Sequence, residues 1–304
     1  MRNGKTSIWR QYLPTAVLLL IIAFVAVWAF AVGSAGRGSA PPVNAINGIL
    51  LVGIGLVAGL LGGIIGTGGC SVMLPAIHFW MGYPAPIAVG TTLFAVFFTA
   101  VSGGYGHLVR RNLDVKATLW LGGSGIVGVI LGSWLFTLLT AHVSLLGLIL
   151  GVAFLLPAVR MVWEGLRRGY KPRQEGSSIP EHTRGWAVLG FIIGVLTGIV
   201  GLGGGYALVP GLIYLFGAPV YVTMGTSLAT MIPLALVGGG IKLAQGYVAL
   251  GAALFLAAGT VVGAQIGAAV IKRFRPTTLK LIFGLYFLYV SVKFIASYFG
   301  IMIW

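Results

Sequence analysis

From Gly38 to Val109 the chain carries no Asp, Glu, Lys or Arg, and from Gly185 to Ile241 it again carries none. Leu, Ile, Val, Ala, Gly and Phe fill most of these stretches, in apolar runs of about 20 residues, the length at which a helix crosses a hydrocarbon core of about 30 Å. A membrane barrel would alternate polar and apolar residues along each strand, and these runs do not. The fold class expected is therefore all-α, a polytopic membrane protein. Charged residues are 8% of the chain, against about a quarter in soluble domains.

The net charge of +15 raises the question of nucleic acid, but the placement of the basic residues answers it. They collect at Arg2, Lys5 and Arg10; at Arg110, Arg111 and Lys116; from Arg160 to Arg184; and at Lys272, Arg273, Arg275 and Lys280, with only Arg37, Lys242 and Lys293 elsewhere. Clusters of this kind mark cytoplasmic loops by the positive-inside rule and are drawn to anionic lipid. The partners expected are a lipid bilayer and a small anionic substrate, not nucleic acid. No cofactor is implied and no His and Cys spacing suggests a metal. A homodimer is compatible with the sequence.

The chain repeats itself. Residues 55–132 align without a gap on 190–267, a shift of 135, with 24 identities in 78 positions, where composition alone gives roughly one in ten. "GIIGTGGCSVMLP" at 63–75 falls on "GIVGLGGGYALVP" at 198–210, and "VGTTL" at 89–93 on "MGTSL" at 224–228. The expected organisation is an N-terminal basic segment, first transmembrane helix and outer loop over 1–45, repeat 1 over 46–162, a cytoplasmic linker over 163–185, and repeat 2 over 186–304, forming one integrated domain. The run from Leu13 to Val32 is too long for a signal-peptide core of 7 to 15 residues and reads as a retained first helix.

Each copy divides into five apolar pieces: 46–66, 71–82, 86–105, 117–139 and 143–162 in the first, and 186–201, 206–217, 221–241, 248–270 and 279–298 in the second. The second piece of each is about 12 residues, near 18 Å of helix and too short to span. With the piece before it, it is expected to form a re-entrant pair that dips in and returns. Counting crossings from a cytoplasmic N-terminus puts every long basic connector on one side and starts the two copies on opposite sides. That is an inverted-topology repeat, a plan common among secondary transporters.

All four carboxylates, Asp114, Glu164, Glu175 and Glu181, fall in predicted loops or at their edges. Membrane pumps and proton-coupled carriers usually keep one within the bilayer, so a cation substrate and a carboxylate proton relay are both disfavoured. What remains at depth is backbone and hydroxyl. Gly66, Gly68 and Gly69, with Gly201, Gly203, Gly204 and Gly205, are too dense for a helix-packing stripe and read as helix breaks. A short helix starting after each break would offer free N–H groups and the positive end of its dipole, and glycine lets a ligand come close. Thr91, Thr92, Thr226 and Ser227 would add hydroxyl donors. Cys70 stands where the other copy has Gly205, so a small residue in a tight slot is expected there. His107 and Lys242 occupy matching places and are expected at the two membrane mouths; His78 and Gln265 are expected to be satisfied locally.

Duplicated "GTGGCSVMLP" and "GLGGGYALVP", each followed by "GTTL" or "GTSL", resemble the sulfite exporter TauE/SafE family of membrane permeases. The similarity runs from about residue 46 to 298, and the family pattern carries glycine where this chain has Cys70. The resemblance implies transport of sulfite, sulfoacetate or another small sulfur-containing anion. The function expected is therefore export by alternating access in a bacterial inner membrane, and not an enzyme activity. An interior-negative potential drives an anion outward by about 2.3 kcal/mol per charge per 100 mV, so export needs no coupling ion. The competing readings are sodium- or proton-coupled uptake, an anion channel, and an intramembrane enzyme with Cys70 or Ser227 as nucleophile, which would need a base beside it.

Overall fold

In a computed structural model the described residues are 8–31, 40–166, 176, 178–270 and 276–301. The basic residues Arg2, Lys5, Arg37, Arg167, Arg168, Lys171, Arg173, Lys272, Arg273 and Arg275, with Glu175, lie outside them. The described chain is helical and contains no strand: α1 Ile8–Ala31, α2 Ala45–Ile65, α3 Cys70–Pro75, α4 Ala85–Val109, α5 Val115–Leu139, α6 Val143–Leu166, α7 Thr183–Val200, α8 Gly205–Phe216, α9 Val220–Ala244, α10 Leu250–Val270 and α11 Pro276–Tyr298. Eight of these are long and apolar enough to cross a membrane. Their outward faces carry large apolar side chains such as Leu20, Phe24, Ile49, Leu119 and Val188, which only a lipid solvent would tolerate in such number. This is a multi-pass membrane protein.

The helix ends have local causes. Asn44 caps α2 by accepting from the Asn47 N–H at 2.8 Å, and Asp114 caps α5 by accepting from the Ala117 N–H at 3.0 Å; each satisfies one of the donors a first turn leaves over. Pro84 and Pro219 precede α4 and α9 at matching positions, with the fixed φ that suits a helix entry. In the first copy the short piece is not α-helical throughout. Its six-residue α3 widens into a π-helical turn over Ala76–Trp80, directly after Pro75, which cannot donate a backbone hydrogen bond. In the second copy Pro210 lies inside an unbroken α8.

The helices pair across the copies. The most extensive contacts join α2 to α10, α5 to α7, α6 to α11 and α4 to α9, so every one of these pairs takes one helix from each copy. The contacts also recur when both partners are shifted by 135. Gly128 packs on the backbone of Phe191 and Val195, and Gly263 on Leu56 and Leu60; Gly132 packs on Val195, and Gly267 on Leu60. Such reciprocity is the signature of a two-fold relation.

Glycine permits these pairs. A methyl group at Gly128 would lie 2.8 Å from the Val195 nitrogen, and one at Gly263 would lie 2.6 Å from the Leu60 nitrogen. Backbone cannot retreat as a side-chain tip can, so the helices would be forced apart. Gly128→Ala or Gly263→Ala should each cost about 1–3 kcal/mol, read as a lower melting temperature in detergent. Gly147→Ala, on α6 with nothing within 4 Å, should leave the melting temperature where it is.

Candidate functional site

Both glycine runs interrupt the helices. α2 ends at Gly66, with φ 82°, and Gly68 and Gly69 follow at 72° and 78°; α7 ends at Gly201, with φ 71°, and Gly203 and Gly204 follow at 67° and 81°. Six left-handed residues at matching positions would strain any side chain carrying a Cβ. Gly205 differs, being the first helical residue of α8. No backbone carbonyl among the described residues accepts from the N–H groups of Gly68, Gly69, Cys70 and Ser71, or of Gly203, Gly204, Gly205 and Tyr206. These are the leftover donors of a helix start, at the positive end of its dipole.

The two breaks touch. A methyl at Gly205 would lie 2.6 Å from Thr67 Cα and 2.8 Å from the Gly66 carbonyl oxygen. The Cys70 thiol, fully buried, donates to the Leu202 carbonyl of the opposite break. It is a hydrogen-bonded tie between copies rather than an exposed nucleophile. Between the breaks stand Val96 on α4 and Met231 on α9, themselves a matched pair. The Met231 methyl would lie 2.6 Å from a Cβ at Gly203 and its sulfur 3.4 Å from one at Gly68; Val96 Cγ1 approaches the same two positions at 2.9 and 3.3 Å. Neither Val96 nor Met231 stood out in the sequence, where both look like ordinary core. Their signal was the shift of 135 combined with adjacency to the breaks.

The four hydroxyl residues separate. Ser227 reaches the first break, donating to the Gly66 carbonyl at 2.8 Å. Thr92 bonds back to Ala88 and Val89 of its own helix at 2.7 and 3.2 Å. Thr91 accepts from the Ala249 N–H at 3.0 Å, and Thr226 from the Asp114 N–H at 2.9 Å. That last pair is related by the same shift and ties each central helix to the start of α10 or α5. Their lone pairs face connector backbone rather than the glycines.

His107 and Lys242 are not exposed at the ends of their helices: both are fully buried. The His107 ring nitrogen Nε2 lies 3.1 Å from the Gly63 carbonyl oxygen, and Lys242 Nζ donates to the Gly198 carbonyl at 2.8 Å, again a matched pair. The reason is length. α4 and α9 continue past 105 and 241 to Val109 and Ala244, and this last turn folds under the neighbouring helix. His78 has a local partner, the Tyr83 carbonyl at 2.7 Å, whereas Gln265 donates across the fold to the Thr15 hydroxyl of α1 at 3.1 Å, 250 residues away.

With this geometry in view, comparison with known proteins decides the family. The sulfite exporter TauE/SafE family profile matches residues 50–294. The chain belongs to that family. Among the relatives of this TauE/SafE protein, a probable membrane transporter of Bacillus subtilis, YdhB, is 29% identical over 221 residues, 72% of this chain and 89% of the relative. A second from that organism, YunE, is 26% identical over 268 residues, 81% and 97% of the two chains. A third, MJ0441 of Methanocaldococcus jannaschii, is 24% identical over 249 residues, covering 76% and 89%. No solved structure matches the chain. The TauE/SafE protein is thus a membrane transporter, and its paired breaks lie inside the matched region.

Proposed function

We propose that this TauE/SafE protein carries small sulfur-containing anions, sulfite or organosulfonates, outward across a bacterial inner membrane, and that it has no enzymatic activity. The observation that carries the reading is the meeting of two glycine breaks whose helix-start N–H groups have no backbone acceptor. Converging amide donors and dipole ends suit an oxyanion and repel a cation. Two of the described carboxylates, Glu164 and Glu181, pair with Arg160 and Lys116, and Asp114 binds backbone N–H groups, so none is left to hold a coupling cation.

Several contacts support inverted copies with a cytoplasmic N-terminus. The Lys116–Glu181 pair and the bond from the Ile179 N–H to Asp114 hold the segment before α7, around 179–181, against the basic connector at 110–116. Thr226, near the start of α9, bonds Asp114 in that connector, whereas Thr91, near the start of α4, bonds Ala249. The rocking bodies of alternating access are then not the sequence copies. They are two interlocked bundles, α2 with α4 and α10, and α5 with α7 and α9, which meet along α4 and α9.

Binding tests the substrate class. Sulfite, thiosulfate, sulfoacetate, taurine and lactate should separate in a thermal-shift panel on the purified protein. A saturable rise with at least one sulfur anion and none with sodium alone is expected. A sodium-dependent rise would favour coupled uptake instead.

A further inference from the structure

Lys242 is fully buried, and neither ion pair among the described residues includes it. Its ammonium carries three donors. One goes to the Gly198 carbonyl, and the ring of Phe136 lies 3.4 Å away; a neutral carbonyl and a ring face do not balance a desolvated charge.

On the two helices that Lys242 touches, α5 through Phe136 and α7 through Gly198, buried hydroxyls are unspent. Gly198 packs against Ser133, whose nitrogen would lie 2.5 Å from a Cβ there. Ser133 and Phe136 share one face of α5, three residues apart. Thr197, next to Gly198, points at the second break: a Cβ on Gly204 would lie 2.8 Å from its hydroxyl oxygen. Ser133 and Thr197 are both fully buried, and neither hydroxyl has a hydrogen-bond partner. Orphaned buried hydroxyls cost stability and ask for a cause.

The other copy shows that the scaffold does not need them. At the positions matched to Thr197, Ser133 and Lys242 stand Gly62, Ala268 and His107. The backbone packing is reciprocated, yet the hydroxyls and the lysine occur on one side only. A group required merely to hold the helices would be expected in both.

We propose that Lys242, Thr197 and Ser133 form an anion subsite beside the second break, in which a small oxyanion serves as the counter-charge of the ammonium. The hydroxyls donate to its remaining oxygens, and the start of α8, at Gly204 and Gly205, adds backbone donors. The site is one-sided, so the anion rests on the α5–α7–α9 bundle and is released when that bundle separates from the first break. This inference rests on the small-anion reading.

Sulfite titrated into the purified protein tests it, with two variants. Lys242→Gln keeps an N–H donor for Gly198 and removes the charge; its sulfite Kd should rise by about 10- to 100-fold. Thr197→Val removes an unpartnered hydroxyl at nearly constant shape. Its melting temperature should hold or rise while the Kd rises about three- to tenfold, a split that a purely structural threonine would not give. Should Lys242→Gln not fold, Thr197→Val decides alone. If wild type binds sulfite and either folded variant binds it equally well, the subsite is overturned and the anion reading stands. If wild type binds none of the panel anions, both fall.

Discussion

A protein with Gly68→Leu and Gly203→Leu together should transport the proposed substrate, sulfite, at less than about one-hundredth of the wild-type rate. Two costs combine. Each position has a left-handed φ, 72° and 67°, which charges a side chain about 1–2 kcal/mol. Each new Cβ also meets Met231 and Val96, and overfilling a packed site adds about 1–3 kcal/mol. The breaks can relieve this only by leaving the conformation in which they meet. A penalty of a few kcal/mol on an obligatory state depopulates it by two or more powers of ten. Size-exclusion profiles of the two proteins should match, because neither glycine lies in the α2–α10 or α5–α7 interface. Flux from proteoliposomes reads the loss.

Met231→Ala should have the opposite sign. Met231 is fully buried and its thioether fills the space between Gly68, Gly203 and Gly205. Truncation costs about 2–5 kcal/mol of packing and removes the barrier between the two breaks. The expected outcome is a passive anion leak several-fold above wild type, with lower thermal stability. Met231→Leu, near in volume, should restore both toward wild type. A Met231→Ala protein with reduced flux and no leak would show that the methionine positions the breaks rather than blocking the way between them. Val96→Ala should leak less, since its γ-methyl stands farther from both glycines.

Much of the fold could be read from the sequence because it is written locally. Apolar length set α2, α4–α7, α9 and α10 to within a few residues, and the dense glycines marked both breaks, since only glycine adopts those φ values without strain. What could not be read depends on partners far along the chain. Thr91 and Thr226 look like substrate hydroxyls until Ala249 and Asp114, 158 and 112 residues away, come to meet them. The burial of Lys242 follows from α7 lying across the last turn of α9, which the composition of α9 does not reveal. The repeat shows that two copies exist, while their interlocking appears only in which helix each glycine face meets. The π-helical turn after Pro75 is absent from the second copy although Pro210 matches it, so no local rule foretells it.

Radiolabelled sulfite efflux from proteoliposomes, with the interior held negative, tests the central claim that paired glycine breaks carry a small anion. The expected efflux exceeds that of empty liposomes, saturates with sulfite, rises with potential and needs no sodium or proton gradient. Efflux no faster than from empty liposomes, or undiminished in the Gly68→Leu, Gly203→Leu protein, would contradict it.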